Sequence, residues 1–96
     1  MRTELPRMSG AAFALIREYA GYKRAAFQRY LAQKKREGDD PQQIGSYSGL
    51  VQMEQRAEVP GRYVQLLRLF LGTNLFYSLV DQLRQEMPAE FFEEVL

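Results

Sequence analysis

The chain has 96 residues, of which 46% are hydrophobic and 26% charged, with a formal net charge of +1. This length supports one hydrophobic core and this balance excludes a disordered chain, so we expect a single helical domain over residues 1–96. The absence of cysteine and histidine excludes disulfide bonds, thiolate or imidazole metal sites and the commonest catalytic base.

The N-terminal segment carries charges at Arg2, Glu4 and Arg7 and contains no apolar run of signal-peptide length. We interpret residues 1–8 as an N-terminal tail. The longest nearly apolar stretch, residues 63–80, is interrupted by polar side chains, so the sequence predicts no membrane span. Together with the absence of cysteine, this indicates a cytoplasmic protein without a membrane partner.

The first predicted element is a long helix from Gly10 to about Arg36. Ser9 is a favourable N-cap, and the segment contains no proline and one internal glycine, Gly21. Apolar side chains recur every three or four residues along it, which predicts an amphipathic helix with one buried face. These side chains belong to Phe13, Ile16, Ala20, Phe27, Tyr30 and Leu31.

Residues 37–49 are predicted to form a loop, because two adjacent aspartates before a proline, and three glycines, occur there without helical or strand periodicity. We expect Ile44 and Tyr47 to anchor this loop to the core. A short helix then covers residues 50–58. It ends before Pro60, because the residue preceding a proline avoids the helical conformation.

The following segment is predicted to be the core helix. Its apolar positions alternate in steps of three and four, which is the spacing of helices that pack at shallow angles: Leu66, Leu69, Thr73, Phe76, Val80, Leu83 and Met87. Residues 63–80 are apolar on nearly all sides, as in a helix that is central or covered by a partner. Gly72 can either be accommodated or divide this segment into two helices.

The predicted fold is therefore all-α, a small bundle of three to five helices. Pro88 begins a last turn whose apolar side chains either close the bundle or enter a partner's groove. The surplus of large apolar residues predicts self-association or protein partners. The candidate protein-interface residues are Leu67, Phe70, Leu71, Phe91, Phe92 and Val95.

Several features argue against catalysis. Nucleophilic catalysis commonly relies on a histidine base, and the carboxylates here occupy predicted loop and helix-surface positions, where ordinary pKa values are expected. No glycine-rich phosphate loop and no Asp-rich metal loop occurs. We therefore predict a protein that is not an enzyme and that uses no cofactor, metal or small-molecule substrate.

Charge is distributed unevenly. Residues 8–36 carry seven bases against one acid, whereas residues 37–61 and 62–96 are both net acidic. On one continuous helix, Arg17, Arg24, Gln28 and Lys35 would form a stripe about 25 Å long that could follow a polyanion. Tyrosines beside it could stack on unpaired bases. The candidate nucleic-acid-binding residues are Arg17, Tyr22, Lys23, Arg24, Arg29, Lys34, Lys35 and Arg36.

In size, all-helical build and basic face, the chain resembles the small helical subunits that line the backbone of CRISPR effector complexes and contact nucleic acid without reading its sequence. The resemblance is one of overall format, and no residue role is carried over from it. It implies a non-enzymatic subunit of a larger complex. The alternatives are a simply solvated basic face, or an adaptor whose basic helix docks on an acidic protein.

Overall fold

The computed structural model describes residues 5–34 and 46–86. Within these ranges the chain forms five α-helices and no strand. The helices are α1 (Gly10–Tyr19), α2 (Arg24–Gln33), α3 (Tyr47–Met53), α4 (Gly61–Leu71) and α5 (Thr73–Glu86). The predicted all-α fold of three to five helices is confirmed.

The first predicted helix is wrong in its length, because two helices replace it. Gly21 has a φ of 92°, a conformation that glycine adopts without a Cβ penalty. Its N–H donates to the Glu18 carbonyl at 2.9 Å, and the Tyr22 N–H donates to the Arg17 carbonyl at 3.1 Å. This pair of hydrogen bonds is a Schellman motif, which ends α1 and lets α2 start in a new direction.

The core segment also divides, at Gly72. This residue has φ 94° and ψ 143°, and its N–H donates to the Arg68 carbonyl at 2.8 Å, which closes α4 before α5 begins. Because α4 and α5 orient independently, the predicted seam does not continue through α4. Leu69, placed on that seam, is 50% exposed, whereas Leu67, predicted to lie at an interface, is completely buried.

Helix α3 begins earlier than predicted, because the Ser46 hydroxyl caps it by accepting a hydrogen bond from the Gly49 N–H at 3.0 Å. Residues 47–49 are therefore helical, although we predicted a loop there. Tyr47 is exposed and does not anchor this part of the chain to the core. Ile44 lies outside the described residues.

Residues 5–8, expected to be part of a tail, pack against the turn that follows α3. The Met8 side chain is buried, and its carbonyl accepts a hydrogen bond from the Val59 N–H at 2.9 Å. The Gly10 N–H donates to the Arg56 carbonyl at 2.8 Å. These bonds bring the backbone of the first turn of α1 against the end of α3, with Gly10 beside Glu54.

The core lies where α5 packs against α1 and α4, and where α2 packs against α3 and α4. Phe13, Phe27 and Phe76 are its largest fully buried side chains. The rings of Phe13 and Phe27 lie 5.7 Å apart, so they join the two helices that Gly21 separates. Among the described helices, none has both the length and the hydropathy needed to cross a bilayer.

Candidate nucleic-acid interface

Arg17 is a structural residue in this fold. Its side chain is only 3% exposed, and its Nε donates to Glu54 Oε2 at 3.0 Å. Its Nη1 donates to the Tyr22 carbonyl at 2.7 Å, which holds the turn after α1 against the guanidinium. Arg17 therefore cannot contact a nucleic-acid phosphate in this fold, contrary to the sequence-based expectation.

Glu54 connects three helices through one carboxylate. It lies at the C-terminal end of α3, is buried, and also accepts a hydrogen bond from Arg24 Nε at 2.7 Å. This bond, followed by the hydrogen bond with Tyr47, raises the pKa of the Arg24 guanidinium above its ordinary value. Arg24 thus remains cationic, and its Nε is held by a carboxylate that it shares with Arg17.

The predicted basic stripe along one rod does not exist. Gly21 separates Arg17 from the helix that carries Arg24, and both guanidinium groups face Glu54. No sequence signal identified Glu54 as their partner, because it lies 37 and 30 residues further along the chain. Arg17 and Arg24 are therefore omitted from the candidate surface.

An open cleft of about 460 Å³ lies over this ion network, between the α1–α2 turn and the start of α3. It is lined by Arg17, Glu18, Gly21, Tyr22, Lys23, Arg24 and Tyr47. The two guanidinium groups at its wall are occupied by Glu54, and Arg17 also lies 3.5 Å from Glu18. Lys23 is thus the cleft base that forms no ion pair with another described residue.

Three aromatic side chains form a continuous surface beside α2, which we name the aromatic shelf: Tyr22, Tyr30 and Phe70. The ring centroid of Phe70 lies 4.7 Å from that of Tyr22 and 5.0 Å from that of Tyr30. The buried ring of Phe27 lies 5.1 Å from Phe70 and supports the shelf from the core side. Tyr22 is 41% exposed, while the other two rings are partly buried.

Lys23 and Lys34 flank the aromatic shelf. Together with Phe27 and Tyr30 they are spaced by four, three and four residues, which places them on one side of α2. Both lysines are exposed, and Lys34 Nζ lies 5.5 Å from the ring centroid of Tyr30. The α4 residue Arg62 approaches the same end of α2, where its Nη2 donates to the Lys34 carbonyl at 3.3 Å.

The other predicted bases are not part of this arrangement. Arg29 is exposed, but at 3.6 residues per turn it lies on the side of α2 opposite the buried Phe27. It therefore points away from both the core and the aromatic shelf. Lys35 and Arg36 lie outside the described residues.

The candidate protein-interface residues occupy different environments in the structure. Leu67 is core, and Leu71 is partly buried against the core. Phe70 is partly buried and belongs to the aromatic shelf, a contact that sequence spacing did not indicate, and its role at a protein interface stays a prediction. Phe91, Phe92 and Val95 lie outside the described residues. Leu69 and Leu75, not included among the candidates, are exposed on α4 and α5.

Comparison of the chain with protein-family models, with curated proteins and with solved structures finds no match. Within residues 5–34 and 46–86, no group of three or more carboxylates is arranged to hold a metal ion.

Proposed function

We propose that this protein is a non-enzymatic subunit of a larger complex and contacts nucleic-acid phosphates, without reading sequence, through α2. The observation that carries the proposal is that Lys23 and Lys34 are exposed on one side of α2. Within the part of the chain that the structure describes, neither has a carboxylate partner. Of the bases predicted to bind phosphate, these two remain on one common surface.

The chemistry of these side chains favours phosphate contact over base readout. Lysine is a compact charge on a flexible stem, so it can follow a phosphate without a fixed geometry. Base edges are commonly read by a fixed fork such as a guanidinium, but the guanidinium groups of Arg17 and Arg24 bind Glu54, and that of Arg29 lies on the other side of α2. A sequence-independent contact, dominated by counterion release, is therefore the expected mode.

The test is fluorescence anisotropy with labelled oligonucleotides of unrelated sequences, titrated at rising salt concentrations. If each lysine neutralises one phosphate of a single strand, the slope of log affinity against log salt should be less steep by about 1.4 in the double variant Lys23→Gln/Lys34→Gln. Arg29→Gln is the matched control, because it also removes one exposed positive charge from α2 but on the opposite side. Arg29→Gln should leave the slope close to the wild-type value.

Two results would overturn the proposal. One is the absence of oligonucleotide binding at low salt, and the other is an equal loss of binding in the Arg29→Gln control. Preferential binding to polyglutamate over every oligonucleotide would instead support the alternative, an adaptor whose basic helix docks on an acidic protein partner.

The assignment to a larger complex has separate support in exposed apolar side chains. Leu69 and Leu75 are both large, both exposed, and located on consecutive helices. Burial of such side chains against another chain removes apolar surface from water. Co-purification from the native cell, with identification of both proteins and nucleic acid, tests this part of the proposal. Recovery of the protein as an isolated monomer would contradict it.

A further inference from the structure

We infer that the aromatic shelf binds unpaired bases, so that the ligand of this surface is a single-stranded nucleic acid. Tyr22, Tyr30 and Phe70 would stack on bases, while Lys23 and Lys34 hold the phosphates on either side. This inference rests on the proposed function and names its ligand class. It adds a contribution from the bases to the contact made by the lysines.

The first support is the geometry of the rings. Tyr22 lies in the turn that precedes α2, Tyr30 lies in the last turn of α2, and the ring of Phe70, from α4, is 4.7 Å from the first and 5.0 Å from the second. Packing onto the buried Phe27 fixes their arrangement before any ligand arrives. Rings that are held in place lose little conformational freedom on binding, which favours their use as a stacking surface.

The second support is the pairing of aromatic rings, exposed at Tyr22 and partly buried at Tyr30 and Phe70, with positive charge. Lys23 and Lys34 are separated along the axis of α2 by about 16 Å. A stacked strand carries one phosphate per roughly 3.4 Å, so this distance corresponds to several nucleotides. Tyr30 lies between the two lysines along α2, and Tyr22 directly precedes Lys23, so a strand whose backbone is held by both lysines would turn its bases toward these rings.

A single strand fits this surface better than a duplex or an acidic peptide. In a duplex the base faces are stacked on one another, so the rings could not reach them and the lysines alone would contribute. The side of α2 that carries the shelf also packs against α4, which prevents that side from entering a major groove. An acidic peptide would meet the lysines but has no flat π surface for the three rings. Stacking on aromatic side chains is sequence-tolerant, because every base presents such a face.

The experiment compares two ligands with the same number of phosphates: a labelled twelve-nucleotide oligothymidylate and an abasic strand of equal length. The wild-type protein should bind the strand with bases at least about tenfold more tightly, since a single stacked base contributes roughly five- to 150-fold in affinity. An oligouridylate arm shows whether the 2′-hydroxyl of RNA matters. Because the protein contains six tyrosines and no tryptophan, quenching of tyrosine fluorescence gives an independent signal of stacking.

Two substitutions at Tyr22 separate the effect of its aromatic ring from the effect of its side-chain volume. Tyr22→Leu keeps an apolar contact with Phe70 but removes the π face, so affinity for oligothymidylate should fall about tenfold while affinity for the abasic strand stays unchanged. Tyr22→Phe should restore binding to within about twofold of wild type. Tyr19→Leu is the matched control, because Tyr19 is 46% exposed and lies at the end of α1, outside the shelf.

The possible results are distinguishable. Equal wild-type affinity for the two strands, with no effect of Tyr22→Leu, would overturn the inference but leave the phosphate contact of the proposed function intact. No binding to either strand would overturn both. A third result is that the protein binds the strand with bases more tightly, but Tyr19→Leu weakens this binding as strongly as Tyr22→Leu does. That result would place the stacking outside the shelf and refute the inference.

Discussion

Removal of the Glu54 carboxylate should leave the buried Arg17 charge without its main partner. Arg17 Nε donates to this carboxylate at 3.0 Å, and both side chains are 3% exposed. Loss of one member of a buried ion pair costs about 3–5 kcal/mol, because the remaining charge stays desolvated. In Glu54→Ala, Arg17 keeps its bond to the Tyr22 carbonyl and its contact with Glu18, so we expect the lower end, about 3 kcal/mol.

The second partner of Glu54 adds little to this cost. Arg24 is partly exposed, so water can replace the lost hydrogen bond to its guanidinium. For a domain of this size a loss of about 3 kcal/mol corresponds to a fall in Tm of about 12–24 °C. It is also a large share of the roughly 5–15 kcal/mol that stabilises a typical domain.

Urea unfolding followed by far-UV circular dichroism measures this change as a lower midpoint at constant slope. The matched control is Glu58→Gln, which removes a carboxylate from an exposed pair with Arg7 and should leave the midpoint nearly unchanged. Adding Arg17→Met to Glu54→Ala should recover part of the loss, because no buried charge then remains. A Glu54→Ala midpoint equal to that of the Glu58→Gln control would refute the reasoning.

Two further predictions concern the start of the fold. Gly10→Ala should destabilise the protein by about 1–3 kcal/mol in thermal unfolding, because the added Cβ would overlap the Glu54 backbone. A Cβ at Gly61 meets no atom within 4 Å, so the control Gly61→Ala should not destabilise the protein. Equal effects of the two substitutions would contradict the close packing of α1 on α3. Hydrogen bonds from Arg7 hold the pKa of Glu58 below its ordinary value, so the small contribution of this exposed pair to stability is fully present at neutral pH and is lost as pH falls through the lowered pKa. NMR titration should show that pKa rising in Arg7→Gln, and an unchanged value would refute the pairing.

The helical elements were largely predictable, because the signals for them are local. Ser9 caps α1 through a hydrogen bond from the Ala12 N–H at 3.2 Å, as its position before an apolar periodicity indicated. The division at Gly72 was one of two outcomes that the sequence left open. The division at Gly21 was missed, because an isolated glycine inside a helical pattern is often tolerated, and only its positive φ reveals the helix end.

The candidate site was less predictable than the helices. The sequence indicated that α2 carries Lys23 and Lys34, but it grouped them with Arg17 as members of one basic rod. Each base looks equivalent in a sequence, since charge alone does not reveal which side chain is neutralised by a distant carboxylate. Phe70 was likewise assigned to a protein interface, because apolar residues on a nearly all-apolar helix are not distinguished by spacing.

The sequence by itself determined that the chain is helical, that Ser9 caps its first helix, and that positive charge is concentrated in its first third. Only the tertiary structure decided that Glu54 forms ion pairs with both Arg17 and Arg24, and that Phe70 completes a shelf with Tyr22 and Tyr30. The physical reason is range. Backbone hydrogen bonds and helical periodicity act over a few residues, whereas ion pairs and ring contacts between helices depend on the directions in which the turns at Gly21 and Gly72 send them.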